Sequence, residues 1–233
     1  MKLDFRGGTH AAQTYAKAAE LRGFALGDTG DIVFVALDVE DHEKLDEVNA
    51  LMARTIDDTP VDVPLVVLSQ VPPGWTRKWS EIRPDVFYQQ NTLIISSALE
   101  RALHPERFVI GCDNSWEPLP AVYQAYLDAF ECPVIRMSYE SAELSKLAVN
   151  YLLASQINTA QVLSAVADAV GASWDEMMPG LRLDKRIGEH AYIRPGEIGG
   201  HLPRDLRTVN RLIQNHVKTW LDLRGPEPND TRQ

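Results

Sequence analysis

Ile32-Val33-Phe34-Val35-Ala36-Leu37 is a continuous apolar run rich in β-formers. An unbroken run of that length predicts a strand buried on both faces, in a sheet covered by helices on each side. Val63-Pro64-Leu65-Val66-Val67-Leu68 repeats the pattern and closes in the turn Val71-Pro72-Pro73-Gly74. Phe108-Val109-Ile110-Gly111 and Pro133-Val134-Ile135 add short strands around a helix near 118–130. Residues 11–22 are rich in helix formers and stop at Gly23, and 41–55 read as an acidic helix. This alternation predicts an α/β domain with a mostly parallel sheet over residues 1–138.

The character changes after Tyr139. From Ser141 to Val170 there is neither Pro nor Gly, and Ala, Leu, Glu, Lys and Gln dominate, which predicts one long helix ended by Gly171. Shorter helices are predicted near 173–178 and 205–223, giving an all-helical domain over 139–224. Gly225-Pro226-Glu227-Pro228 opens a polar tail, 225–233, expected to be disordered. The long helix carries Leu144, Leu147, Ala148, Tyr151, Leu152, Ala154, Ile157, Val162, Leu163 and Val166. That apolar face exceeds what one small sheet covers, leaving the later helices or a second copy of the chain to bury it.

Composition bounds the function. Of 233 residues, 45% are hydrophobic and 24% charged, the balance of a folded chain. No apolar run reaches the length of a membrane span, and Met1-Lys2-Leu3-Asp4-Phe5-Arg6 lacks the apolar core of a signal peptide, so a cytoplasmic protein is expected. The net charge of -10 disfavours a nucleic-acid backbone or an anionic membrane as partner, while permitting a local basic pocket for a phosphorylated small molecule. Cys112 and Cys132 stand in no metal or redox pattern and are expected as free thiols; no metal site is expected.

Four constellations could carry chemistry. Gly7-Gly8-Thr9-His10-Ala11-Ala12 precedes the first helix, where glycines let a backbone approach a pyrophosphate at a helix N-terminus, although the run does not meet G-x-G-x-x-G and also reads as a plain turn. Lys146 and Asn150, spaced i,i+4 with Glu143 one turn earlier, could hold a substrate hydroxyl and a water, or form a solvated face with a Glu143–Lys146 pair. Asp184-Lys185-Arg186-Ile187-Gly188 and Gly196-Glu197-Ile198-Gly199-Gly200-His201-Leu202-Pro203-Arg204-Asp205 are glycine-bearing loops whose Arg186 and Arg204 could meet phosphate.

Taken in order, these segments resemble the UDP-glucose/GDP-mannose (nucleotide-sugar) dehydrogenase family. Ala142-Glu143-Leu-Ser-Lys146-Leu-Ala-Val-Asn150 is similar to its A-E-x-x-K-x-x-x-N helix, Asp184-Lys-Arg186-Ile-Gly to its D-x-R-I-G, and Gly199-Gly200 with Pro203-Arg204-Asp205 to its G-G-x-C-x-P-K-D loop. Leu68-Ser69-Gln70-Val71-Pro72-Pro73-Gly74 resembles S-T-V-P-x-G, and His104-Pro105-Glu106-Arg107-Phe108-Val109-Ile110-Gly111 resembles P-x-R-I-V-x-G. The resemblance implies a Rossmann-like NAD-binding domain followed by a helical dimerisation domain. It implies oxidation of a sugar alcohol with NAD, the family's second oxidation running through a cysteine thiohemiacetal. Lys146, Asn150 and Asp205 would then be catalytic. Arg186, Gly199, Gly200, His201 and Arg204 would bind the sugar nucleotide or sugar phosphate, with Arg186 reaching it across a homodimer built on 141–170. Gly7, Gly8, Thr9, His10, Gln70 and Asn91 would face NAD.

The departures from the family pattern shape the expectation. The loop from Gly200 to Asp205 is one residue shorter and has Leu202 or a gap where the family has its cysteine, so the second oxidation loses its covalent route. Gln70 stands for Thr, and Asn91 for a glutamate; an amide cannot accept a proton as a base. Only six residues lie between Phe24 and Asp31, where a complete Rossmann half needs a strand, a helix and a strand, and Asp28 is the sole nearby carboxylate for an adenosine ribose. The family's C-terminal nucleotide-binding domain has no counterpart before residue 233. The fold expected is therefore a shortened Rossmann-like sheet followed by an all-helical domain. The function expected is a one-step NAD-dependent oxidation of an alcohol. Two alternatives stand beside it: a dimeric scaffold or ligand-binding relative, and a cofactor-free enzyme using the Lys146/Asn150/Asp205 site with His201 as acid or base.

Overall fold

The computed structural model describes residues 1–91, 93–196 and 202–222, without the side chains of Ile95 and 216–222. Two compact units divide between Lys146 and Leu147. The sequence reading put the division at 138/139. The later division follows from packing, because the first turns of the long helix, with buried Tyr139, Ala142 and Glu143, belong to the first unit.

The first unit is a seven-stranded sheet. Its strands are β1 (Lys2–Arg6), β2 (Ala25–Leu26), β3 (Ile32–Val35), β4 (Leu65–Val67), β5 (Val86–Gln89), β6 (Phe108–Cys112) and β7 (Val134–Ser138), in the spatial order β2-β1-β3-β4-β5-β6-β7. All neighbours run parallel except β5 and β6, which pair antiparallel with Tyr88 opposite Gly111. The helices are α1 (His10–Leu21), α2 (Asp46–Asp58), α3 (Trp75–Ser80), α4 (Ala98–Leu103), α5 (Ala121–Asp128) and the start of α6 (Tyr139–Val170).

The four residues of β3 are all buried, and alternate side chains enter different cores. Ile32 and Phe34 pack with Tyr15 and Ala18 of α1 and with Tyr123, Tyr126 and Leu127 of α5. Val33 and Val35 pack with Val48 and Met52 of α2, Trp75 of α3 and Tyr139 and Ala142 of α6. A sheet covered on both faces has no use for polar alternation, so the strand reads as an unbroken apolar run. The acidic helix begins at Asp46 rather than 41, because Asp41 instead caps a turn by accepting from the Glu43 N–H at 3.0 Å.

The shortening lies at one edge. β2 has two residues, both exposed, and pairs with β1 through Lys2–Ala25 and Leu3–Leu26. The chain then returns directly to β3 on the other side of β1, without a strand and helix between. The second Rossmann strand persists as this remnant, and its parallel direction puts its carboxyl end on the same side as that of β1.

The second unit holds the rest of α6, α7 (Trp174–Leu183) and α8 (Leu202–Asp222). Ser173 caps α7 by accepting from the Glu176 N–H at 3.4 Å, and α7 runs further than 173–178. Trp174 is buried, with Nε1 donating to the Ile193 carbonyl at 3.2 Å. The tail at 225–233 lies outside the described residues.

Candidate active site

In the first unit, the glycine run forms the turn between β1 and α1. Gly7 has φ +129°, and a Cβ there would sit 2.0 Å from the Ala36 carbonyl oxygen, so only glycine lets β1 leave the sheet beside β3. Gly8 has φ +64° with open space around it. Thr9 is the N-cap of α1: its Oγ1 accepts from the Ala12 N–H at 3.5 Å and donates to the Ala36 carbonyl at 2.8 Å. His10 is exposed at the first position of the helix. Gly7 and Gly8, with Leu37, Glu47, Ala50, Leu51 and Arg54, line a cavity of about 500 Å³ between this turn and α2. Its lining combines glycine backbone, the apolar side chains Leu37, Ala50 and Leu51, and one charge of each sign, Glu47 and Arg54.

The turn after β4 carries Gln70. Ser69 Oγ accepts from the Leu37 N–H at 2.8 Å, and the Gln70 carbonyl meets His42 Nε2 at 3.1 Å. A carbonyl only accepts, so Nε2 carries the hydrogen. Asn91 is buried beyond β5 and does structural work there: its Oδ1 accepts from the Tyr15 hydroxyl at 3.3 Å and from the Leu93 N–H at 3.0 Å. Gln90 donates from Nε2 to Ser145 Oγ at 3.1 Å, and Gln89 Oε1 accepts from Tyr123 at 3.0 Å. A layer of buried amides therefore lies at the carboxyl end of β5, none of them a base. Cys112 is buried with its Sγ 3.5 Å from the Met137 carbonyl, and burial pushes both its thiol and that of Cys132 up.

Glu143 does not form the solvated pair with Lys146 that spacing allowed. It is fully buried, accepting from the Gly74 N–H at 2.5 Å and the Thr76 N–H at 2.8 Å. The sequence reading missed this cap because its partners lie in a turn far upstream. Lys146, half-buried, ends the first unit.

In the second unit, Asn150 and Asp205 come together across 55 residues of chain. Asn150 Nδ2 donates to Asp205 Oδ2 at 2.5 Å, and Arg204 donates from Nε to Oδ1 at 2.7 Å. Asn150, Arg204 and Asp205 are all buried, so a guanidinium compensates the carboxylate out of water. Arg204 is thus turned onto its neighbour. Arg186 is exposed and paired with Asp184, whose carboxylate its guanidinium holds below the usual range. Gly199, Gly200 and His201 lie outside the described residues. Among the described residues no cluster of His, Cys, Asp and Glu is arranged for a metal, and no helix is long and apolar enough to cross a membrane.

Residues 140–223 match the central domain of the UDP-glucose/GDP-mannose dehydrogenase family. The chain is 31% identical over 123 residues to a UDP-glucose 6-dehydrogenase of Rickettsia felis, covering 52% of this chain and 27% of that protein. It is 29% identical over 163 residues to the Pseudomonas aeruginosa enzyme of the same name, covering 69% and 36%. The chain spans about a third of the length of the curated relatives it matches. Among solved structures, a UDP-glucose dehydrogenase from Pyrobaculum islandicum superposes with a TM-score of 0.77 at 22% identity, covering 92% of this chain and 64% of that one; this likeness is one of fold. The central-domain match over residues 140–223, the aligned relatives and the α/β-then-helical architecture agree in making this chain similar to the UDP-glucose/GDP-mannose dehydrogenase family.

Proposed function

We propose that the chain acts in the NAD-dependent oxidation of an alcohol on a sugar nucleotide or sugar phosphate, and that it stops after one two-electron step. The observation that carries the reading is the buried Asn150–Asp205 pair, hydrogen-bonded at 2.5 Å within the segment that matches the family's central domain. Lys146 would donate to the reacting oxygen, favouring loss of its proton. Asp205 and Asn150 would hold the water that takes that proton, with Arg204 keeping the buried carboxylate compensated. NAD, when bound, supplies the hydride acceptor. Gly7, Gly8, Thr9 and His10 would sit under its phosphates, the cavity wall of Leu37, Ala50 and Leu51 against its adenine, and Gln70 and Asn91 toward the other end. The carboxylate that would accept from the adenosine ribose has no clear equivalent; Asp28, two residues past β2, is the nearby candidate.

The one-step limit rests on the thiols. The only cysteines are Cys112 and Cys132, both in the first unit's fold with burial-raised thiols, and the loop at 199–205 holds none. Without a thiolate there is no thiohemiacetal to carry the second oxidation. Arg186, Gly199, Gly200 and His201 would meet the sugar phosphate, while Arg204, buried and paired with Asp205, would act through that carboxylate. A homodimer through 141–170 is part of the same reading: Leu147, Ala154 and Ile157 are buried, but Leu144, Leu152, Val162, Leu163 and Val166 of α6 remain exposed. Oxidation of UDP-glucose, GDP-mannose or a hexose phosphate tests the chemistry by its stoichiometry. One NADH per sugar with an aldehyde product is expected. Two NADH with a carboxylate product contradicts the one-step limit, and no turnover with any of the three contradicts the activity.

A further inference from the structure

A dinucleotide fold ordinarily presents a carboxylate to the adenosine ribose from the end of its second strand. In this chain β2 stops at Leu26, and the carboxylates along that edge do not reach the cavity at the glycine turn. Asp4 is buried and paired with Arg6 at 2.9 Å. Asp31 accepts from the Lys2 N–H at 2.8 Å. Asp28 is exposed, and none of the three lines the cavity.

The cavity does have a carboxylate, on its opposite wall. Glu47, Ala50, Leu51 and Arg54 of α2 are spaced i, i+3, i+4 and i+7, one stripe of the helix. The stripe sets Glu47 in the first turn, two apolar side chains after it, and Arg54 about 10 Å further along the axis. Among the described residues neither Glu47 nor Arg54 has a hydrogen bond or an ion pair, so the cation does not neutralise the carboxylate. α2 is the crossover helix between β3 and its parallel neighbour β4. Its first turn therefore lies toward the carboxyl ends of the strands, where β1 runs into Gly7 and Gly8.

We propose that Glu47 is the cofactor-specificity residue: from the helix wall it accepts from the ribose diol that β2 no longer reaches, and it selects NAD over NADP. The inference rests on the NAD reading of the cavity given above. An ionised carboxylate only accepts, and both hydroxyls of a vicinal diol can donate, so one side chain can take the pair. A 2′-phosphate replaces one of those donors with negative charge and sets it against Glu47. Glu47 gives up no existing hydrogen bond on meeting the diol.

The test is calorimetric titration of the full chain with NAD and with NADP, in the wild type, Glu47→Gln and Asp28→Asn. The wild type should bind NAD about tenfold or more tightly than NADP, the value of one hydrogen bond to a charged group. In Glu47→Gln, NAD should weaken by about the same factor and NADP should tighten, because the repelling charge is gone. Opposite shifts distinguish a specificity role from a structural one, since a damaged cavity weakens both ligands. Equal affinities in the wild type, with the 2′-phosphate drawn to Arg54, overturn the proposal. So does a ratio unchanged in Glu47→Gln, a parallel loss of both ligands, or a preference that disappears in Asp28→Asn instead. In each of these cases a dinucleotide still binds, and only the assignment to Glu47 falls. Binding of neither dinucleotide by the wild type removes the NAD reading and this assignment with it. Glu47 is exposed and unpaired among the described residues, so Glu47→Gln should keep the wild-type melting temperature.

Discussion

Replacing Gly7 by alanine should be among the costliest single-methyl additions in the chain. The new Cβ would lie 2.0 Å from the Ala36 oxygen and 2.6 Å from the Ala36 carbon, both backbone atoms that no rotamer change can move away. Relief requires the end of β1 to part from β3. That would forfeit the Ala36 N–H to Arg6 carbonyl bond at 2.8 Å and the Thr9 hydroxyl to Ala36 carbonyl bond at 2.8 Å. Each such bond contributes about 1 kcal/mol net, and a non-glycine residue forced to this φ costs roughly 1–3 kcal/mol. The expected loss is about 3–5 kcal/mol, a large share of the ~5–15 kcal/mol that holds an ordinary domain together. Gly8→Ala is the internal control: φ +64° lies in the left-handed helical region and the space is open, so it should cost only about 1–2 kcal/mol. Urea unfolding followed by circular dichroism reads both. A Gly7→Ala chain within 1 kcal/mol of wild type, or a Gly8→Ala chain equally damaged, would refute the assignment of the turn.

Asp205→Ala removes the carboxylate that both Arg204 and Asn150 engage, and breaking such a buried pair should cost about 3–5 kcal/mol; Arg186→Ala, exposed in solvent, should leave the melting temperature unchanged. Equal melting temperatures for the two variants would contradict the buried cluster. The pH dependence of stability follows from Glu143, whose folded value of about 7 lies above the ordinary 4.5. Its contribution is fully present below 4.5 and is lost as pH rises through about 7, so wild type should lose up to about 3 kcal/mol relative to Glu143→Gln between pH 5 and 8. Parallel stability profiles would count against it. Light scattering at micromolar concentration should give a dimer mass for the wild type and a monomer mass for the double variant Leu152→Glu/Val166→Glu, whose positions are 62% and 52% exposed. A monomeric wild type would contradict the α6 interface.

What the sequence discloses depends on whether a residue's role is local. β3 is legible because burial on both faces leaves one signature, an unbroken apolar run, and α6 is legible because thirty residues without Pro or Gly have few alternatives. β5 escapes notice: it is four residues long and ends in the run Gln89, Gln90 and Asn91, polar side chains that read as surface yet are buried, each with one hydrogen bond to Tyr123, Ser145 or Tyr15. α3 escapes for a related reason. Its cap comes from Glu143, and nothing in Val71-Pro72-Pro73-Gly74 announces a helix whose first donors are met by a residue on α6. The glycine turn at Gly7-Gly8 is visible in sequence, whereas the division of labour within it needs coordinates: Gly7 makes room for the Ala36 backbone, and Gly8 borders the cavity. The same holds for Arg204, which spacing offers as a phosphate contact and which the fold turns onto Asp205.

Calorimetric titration of the purified chain with NAD and NADH tests the central claim most directly. The shortened sheet keeps the glycine turn, the cavity beside α2 and a remnant of the second strand, so saturable micromolar binding is expected, weakened in Gly8→Ala, where the added methyl group meets the cavity. Absence of heat up to millimolar cofactor would contradict the claim, leaving the family's central helices in a protein that does not use NAD.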